Sequence, residues 1–263
     1  MKIQNVTDYL EELAPLSYAE DFDNVGLLVG NYETKVSGIL VTLDSIEETV
    51  DEAIAKNCNL IVSFHPIIFN GLKKLNGNTY VERAILKAIK NNIAIYAIHT
   101  ALDNIKEGVS GKICEVLGLK NTQILIPKSS LNTHETIGMG MIGELEIEMN
   151  EATFLKFIKS TMKTECIRHS ELLGKSIKKV AVLGGSGSFA IESAIALDAD
   201  AYISSDFKYH DFFKAEKKIL LTDIGHYESE QFTKNLLVEY LTKKFTNFAV
   251  ILSEKSTNPI YYI

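Results

Sequence analysis

The chain has 263 residues, 46% of them hydrophobic and 23% charged, with 27 Lys and Arg against 34 Asp and Glu for a formal net charge of −7. This composition can bury a core and excludes a disordered chain, and the length suits one large or two small domains. Three scattered cysteines (Cys58, Cys114 and Cys166) exclude a disulfide framework or zinc ribbon, and the negative charge argues against a nucleic-acid partner.

The first residues, MKIQNVTDYLEELAPL, mix acids into an amphipathic pattern and hold no signal-peptide core. No apolar run approaches the roughly 18 residues of a membrane span. The expected home is a reducing cytoplasm. Residues 38–43 (GILVTL) read as a buried strand, 46–57 as a helix with Ser45 as its N-cap, and 59–63 as the next strand. Asp44 and Glu47 suit that helix's positive end. A helix at 78–91 and a strand at 93–98 follow. This is βαβ grammar, which implies parallel strands with right-handed crossovers.

Residues 135–148 (ETIGMGMIGELEIE) look like glycine-punctuated strands and 151–163 like a helix. The βαβ grammar then returns, with strands at 179–183 and 200–204 around a helix at 189–198. A shift of 141 positions aligns the two units without a gap, pairing Val41 with Val182, Ser45 with Ser186, Ala53 with Ala194 and Ser63 with Ser204. A strand at 218–222, a long helix near 227–244 and strands at 247–252 and 259–262 close the chain. The expected architecture is α/β, with two related α/β subdomains packed together. The boundaries are drawn at 1–126, 127–217 (including a variable segment, 127–176) and a C-terminal return, 218–263, that completes the first subdomain and the site.

Functional positions of a parallel sheet lie just past the carboxyl ends of its strands. Those ends carry Phe64-His65-Pro66, His99 with Asp103-Asn104, Asp206 with Tyr209-His210, and Gly225-His226 with Glu230. Four of the six histidines fall there; His134 and His169 do not. Imidazole and carboxylate donors in one place suit Zn, Fe or Mn. His226 and Glu230, four residues apart, share one face if His226 opens a helix. Pro66 biases His65 to extended backbone. Other readings stay open: His226 with Glu230 also suits a solvated helix pair, Asp103-Asn104 a turn, and Asp206 a helix N-cap. The stretch Gly184-Gly185-Ser186-Gly187 sits between strand and helix; it reads more readily as a tight turn than as a phosphate cradle.

In this order, Asp23-Asn24-Val25-Gly26-Leu27, His65-Pro66, His99-Thr100 with Asp103-Asn104, Gly184-Gly185-Ser186-Gly187, Asp206 with Lys208-Tyr209-His210, and Gly225-His226 with Glu230 resemble the NIF-three-like family, whose members are also called GTP cyclohydrolase I type 2 homologues. The resemblance runs from about residue 4 to Thr257-Asn258-Pro259. It implies a two-subdomain α/β fold, a homohexameric ring and a dinuclear metal centre. His65, Asp103 and Glu230 would hold one ion; His226, the shared Glu230 and a further histidine would hold the second. Phe64 stands where that histidine is expected, so the second ion is weakened, takes His99 instead, or is absent.

The expected cofactor is therefore one or two divalent ions. The expected activity is that of a metal-dependent hydrolase on a nucleotide or phosphoester, with His99, Asp206 and His210 as catalytic candidates. Asp23, Asn24, Gly184, Gly185 and Ser186 are substrate-binding candidates. A non-catalytic metal carrier or regulatory scaffold is the alternative. A partner-binding module with a structural ion, presenting the 127–176 segment, is the third.

Overall fold

The computed structural model describes residues 1–129 and 136–263; His134 and residue 135, the first of the expected 135–148 strands, lie outside them. In chain order the elements are α1 (Ile3–Leu13), β1 (Gly26–Val29), β2 (Ile39–Thr42), α2 (Glu47–Ala55), β3 (Leu60–Ser63), α3 (Tyr80–Lys90), β4 (Ala94–Ala97) and α4 (His99–Asp103). These are followed by α5 (Val109–Leu117), β5 (Lys120–Ser129), β6 (Thr136–Asn150), α6 (Glu151–Thr161), β7 (Arg168–His169) and β8 (Ser176–Ser186). The chain ends with α7 (Ile191–Ala196), β9 (Ala201–Ser205), β10 (Leu220–Asp223), α8 (His226–Glu230), α9 (Thr233–Lys244) and β11 (Val250–Leu252). Among the described residues no helix is long and apolar enough to cross a membrane.

The chain forms two compact units, one of residues 1–102 and 233–258, the other of 103–232 and 259–263. The sequence-based boundaries at 126 and 217 fall elsewhere. The reason is packing. Ile113 and Leu117 of α5 share a core with Val180 and Val182, and β5 pairs with β6, so the chain enters the second unit before residue 126. At the other end β10 pairs with β9, so the return to the first unit begins only at α9.

The first unit holds a sheet in the order β1-β4-β3-β2-β11, parallel except for β1 at its edge. The central strands β2, β3 and β4 are buried at every position, as expected when both faces of a parallel sheet are covered. Val50 and Ala53 of α2 and Ala84, Ile85 and Ala88 of α3 pack on Leu40, Ile61 and Ile95. Tyr9 of α1 stacks on Tyr240 of α9 at 4.3 Å. The start of α2 differs from expectation. Ile46, not Ser45, is its N-cap, and the Thr49 hydroxyl accepts the Ile46 N–H.

The second unit holds a sheet in the order β5-β6-β8-β9-β10-β7, with β8, β9 and β10 parallel and the others antiparallel. Alternate residues face opposite sides. Val180, Val182 and Ile203 meet α5 and α6, whereas Ala181 and Tyr202 meet Ile191 and Ala194 of α7. The expected 227–244 helix is two helices, α8 and α9, and no strand forms at 259–262.

The internal repeat survives in the strand register. Ile39 pairs with Leu60 and Val41 with Val62; the positions 141 residues on, Val180 with Ala201 and Val182 with Ile203, pair in the same way. The third parallel strands follow suit. Ile98 N–H donates to Ser63 O at the end of β4, and Ile224 N–H donates to Ser204 O at the end of β10. Both units therefore present the same set of strand ends.

Candidate metal centre

In the first unit the ladder continues one step past β3. Phe64 N–H donates to Thr42 O, His65 N–H to Leu43 O, and His99 N–H to Phe64 O. These bonds hold His65 in extended backbone, as Pro66 favours. Its Nδ1 pairs with Asp44 Oδ1 at 2.8 Å, and Asp44 in turn accepts the Thr257 hydroxyl. His99 Nδ1 pairs with Asp23 Oδ1, also at 2.8 Å. Asp23 accepts the Thr100 N–H and hydroxyl as well. Burial works to raise the Asp23 carboxyl, but the bonds from His99 and Thr100 outweigh it and bring it down to about 2.

In the second unit the turn after β10 passes through Gly225 at φ +93°, where a side chain would strike Glu228, and α8 starts at His226. His226 Nδ1 pairs with Asp206 Oδ2 at 2.7 Å, and its Nε2 lies 3.2 Å from Glu230 Oε2. Burial alone would lower the imidazole's affinity for its proton. The bonds to Asp206 and Glu230 override that and raise it to about 11. Glu230 is 4% exposed.

The glycine pair before Ser186 makes room for that carboxylate. A Cβ on Gly185, whose φ is +72°, would sit 2.4 Å from Glu230 Oε1, and one on Gly184 2.5 Å from Val109. Gly185 N–H donates to Ser229 Oγ and its carbonyl accepts from Ser204 and Ser205. The stretch is thus a close-packed strand end whose Gly185 amide is already engaged within the protein.

The structure thus sorts the expected residues. His65, His99 and His226 each pair Nδ1 with an aspartate. Asp206 orients His226, and Ser186 donates its hydroxyl to the same carboxylate. It sits at φ +59° and caps no helix. Asp23 orients His99, and Asn24 donates to Ile68 O. Asp103 ends α4 as Glu230 ends α8. His210 is exposed on a 3-10 turn and packs against Tyr209 and Phe213. Sequence reasoning missed Asp44 as a partner of His65. Its signal was position: like Asp206, it lies just past the carboxyl end of a parallel strand.

Fold and donors together define a class: a two-unit α/β protein whose strand ends carry histidines oriented by carboxylates. The Duf34/NIF3 (NGG1p interacting factor 3) family model matches residues 1–259, and the chain belongs to that family. It is similar to the GTP cyclohydrolase 1 type 2 homolog of Clostridium acetobutylicum, at 34% identity over 98% of each chain, and to that of Clostridium perfringens, at 33% over the whole of both. Among solved structures it resembles a Bacillus cereus protein related to NIF3, at TM-score 0.94 and 26% identity, covering 100% of this chain and 99% of that one. Staphylococcus aureus protein SA1388 matches at TM-score 0.91 and 31% identity, with the same coverage.

Proposed function

We propose that the chain binds a divalent metal ion, with His226 and Glu230, whose Nε2 and Oε2 lie 3.2 Å apart, as ligands, and with His65 as the ligand that the family resemblance adds. The observation that carries this reading is the shared Nδ1–carboxylate pairing. Such pairing fixes the tautomer and raises the basicity of a ligating imidazole. Gly185 adds a second support, since its missing side chain keeps Glu230 Oε1 uncrowded. Asp103 is the fourth ligand in this reading, from the family resemblance and its place at the end of α4. Neutral imidazole and carboxylate donors suit Zn, Fe or Mn.

The activity we infer is hydrolysis of a nucleotide or phosphoester. The ion would polarise the reacting group and lower the pKa of bound water. The chain's own residues would hold the ion and orient its ligands: Asp44 behind His65, Asp206 behind His226. Family resemblance further supports a homohexamer acting in the cytoplasm. A second reading, a metal carrier or regulatory scaffold, is favoured by Phe64. This buried side chain offers no donor where the resemblance implies one.

Turnover of a panel of nucleotides and phosphoesters by metal-loaded protein tests the choice. Turnover abolished by Asp103→Ala supports the hydrolase. Ready release of metal to a chelator with no turnover supports the carrier.

A further inference from the structure

Phe22 and Phe69 of the first unit are 66% and 47% exposed, although their ring centroids lie only 6.3 Å apart. Single exposed apolar side chains are common on any surface; two large rings left together in water are a feature to explain. Their planes meet at 56°, so neither ring lies flat on the other and each keeps a face open. The next ring is His99, 6.3 Å from Phe69 at 79°.

The backbone beneath both rings is fixed. Asp23, beside Phe22, is buried and is held by His99 and Thr100, and the Thr100 hydroxyl accepts the Glu20 N–H. The Asn24 side chain donates to Ile68 O, one residue before Phe69. These bonds tie residues 20–24 to α4 and to the loop between β3 and α3, so the two rings are in place before a ligand arrives. That loop runs on to Lys73 and Lys74, both exposed and, among the described residues, in no ion pair. It also starts at the carboxyl end of β3, the edge at which an open α/β sheet takes its ligands. A planar base laid on an open ring face gains stacking whatever its identity, and free ammonium groups close by suit a phosphate. An aliphatic phosphoester gains only the second.

We propose that Phe22 and Phe69 are the platform on which the base of a nucleotide stacks. Lys73 and Lys74 supply the charge that attracts its phosphate. This rests on the hydrolase reading above and narrows its substrate from a nucleotide or phosphoester to a nucleotide.

The chain has no tryptophan, so Phe22→Trp sets a single indole in the platform and keeps an aromatic face there. The full-chain variant is titrated with AMP and with ribose 5-phosphate, which carries a phosphate and no base. AMP is expected to quench the indole emission and ribose 5-phosphate to leave it unchanged. In calorimetry the wild type is expected to bind AMP about tenfold more tightly than ribose 5-phosphate, and Phe69→Ala to remove most of that difference. Equal binding of the two compounds, or no binding of AMP, overturns the inference; Zn²⁺ uptake by the wild type, measured separately, then shows the metal site still standing. Selective AMP binding with no Zn²⁺ uptake overturns the metal-binding reading and leaves the platform. The wild-type comparison decides the matter even if a variant fails to fold.

Discussion

His226 Nε2 lies 3.2 Å from Glu230 Oε2, one turn later on α8, while Asp206 holds the other nitrogen of the same ring. Without metal, a proton on Nε2 bridges the imidazole to Glu230, and the two carboxylates keep the ring charged up to about pH 11. A cation bound at Nε2 must displace that proton. Binding is therefore expected to release about one proton per ion from His226 and to strengthen by about tenfold per pH unit from this group at ordinary pH. Calorimetry in two buffers of different ionisation enthalpy reads the proton directly. Equal heats in both buffers would refute the exchange.

The carboxylates behind the histidines act by orientation. Asp206→Ala and Asp44→Ala are each expected to weaken metal binding by about 10–100-fold. Asp206 also helps to hold the His226 imidazolium, so its removal is expected to lower the melting temperature of the metal-free protein as well. A competition assay against a chelator of known affinity gives the first number and calorimetry the second. Wild-type affinity in both variants would remove the orienting role.

Gly185→Ala places a methyl 2.4 Å from Glu230 Oε1 and puts a non-glycine residue at φ +72°. The backbone term alone costs about 1–2 kcal/mol. The methyl also pushes Glu230 aside, so metal affinity is expected to fall further than stability. Denaturant unfolding of the metal-free protein beside a metal-binding isotherm separates the two. A loss of stability with unchanged metal affinity would contradict the account of the glycine pair.

Glu52 ties α2 to the segment after β11. Its carboxylate accepts from the Ser253 hydroxyl, the Glu254 N–H and Lys56. Burial works to raise its pKa, but these bonds prevail and lower it. A depressed folded value means that its contribution is present above the unfolded pKa and disappears as pH falls through the folded one. Glu52→Ala is expected to cost about 1–3 kcal/mol at neutral pH, since it strands buried donors. That difference should shrink in acid, as followed by urea unfolding at several pH values. A penalty that does not change with pH would contradict it.

Much of this was legible in the chain. Short apolar runs located β2, β3, β8 and β9, because fully buried parallel strands read that way, and the repeat offset aligned the two pairs. The places of His65 and His226 just past strand ends were legible from the apolar runs before them. The partners were harder. Asp44 looked like a charge at a helix start, and only the fold shows it behind His65. Asp23 lies 76 residues from His99, a pairing no local pattern encodes. The unit boundaries were hidden for a similar reason. α5 and β5 follow the first βαβ run without a break, yet their apolar faces match the core around Val180 and Val182. Residues 227–244 read as one helix because the amphipathic pattern runs through Gln231-Phe232, where the chain passes from α8 to α9.

The central claim is a metal ion held by His226 and Glu230, with His65 as the further ligand that the family resemblance implies. Equilibrium dialysis of the wild type, His65→Gln and Glu230→Gln against Zn²⁺, with bound metal measured by mass spectrometry, tests it most directly. The account predicts tight binding by the wild type and a loss of affinity of at least a hundredfold in each variant, both still folded. Wild-type metal content in folded Glu230→Gln would contradict it.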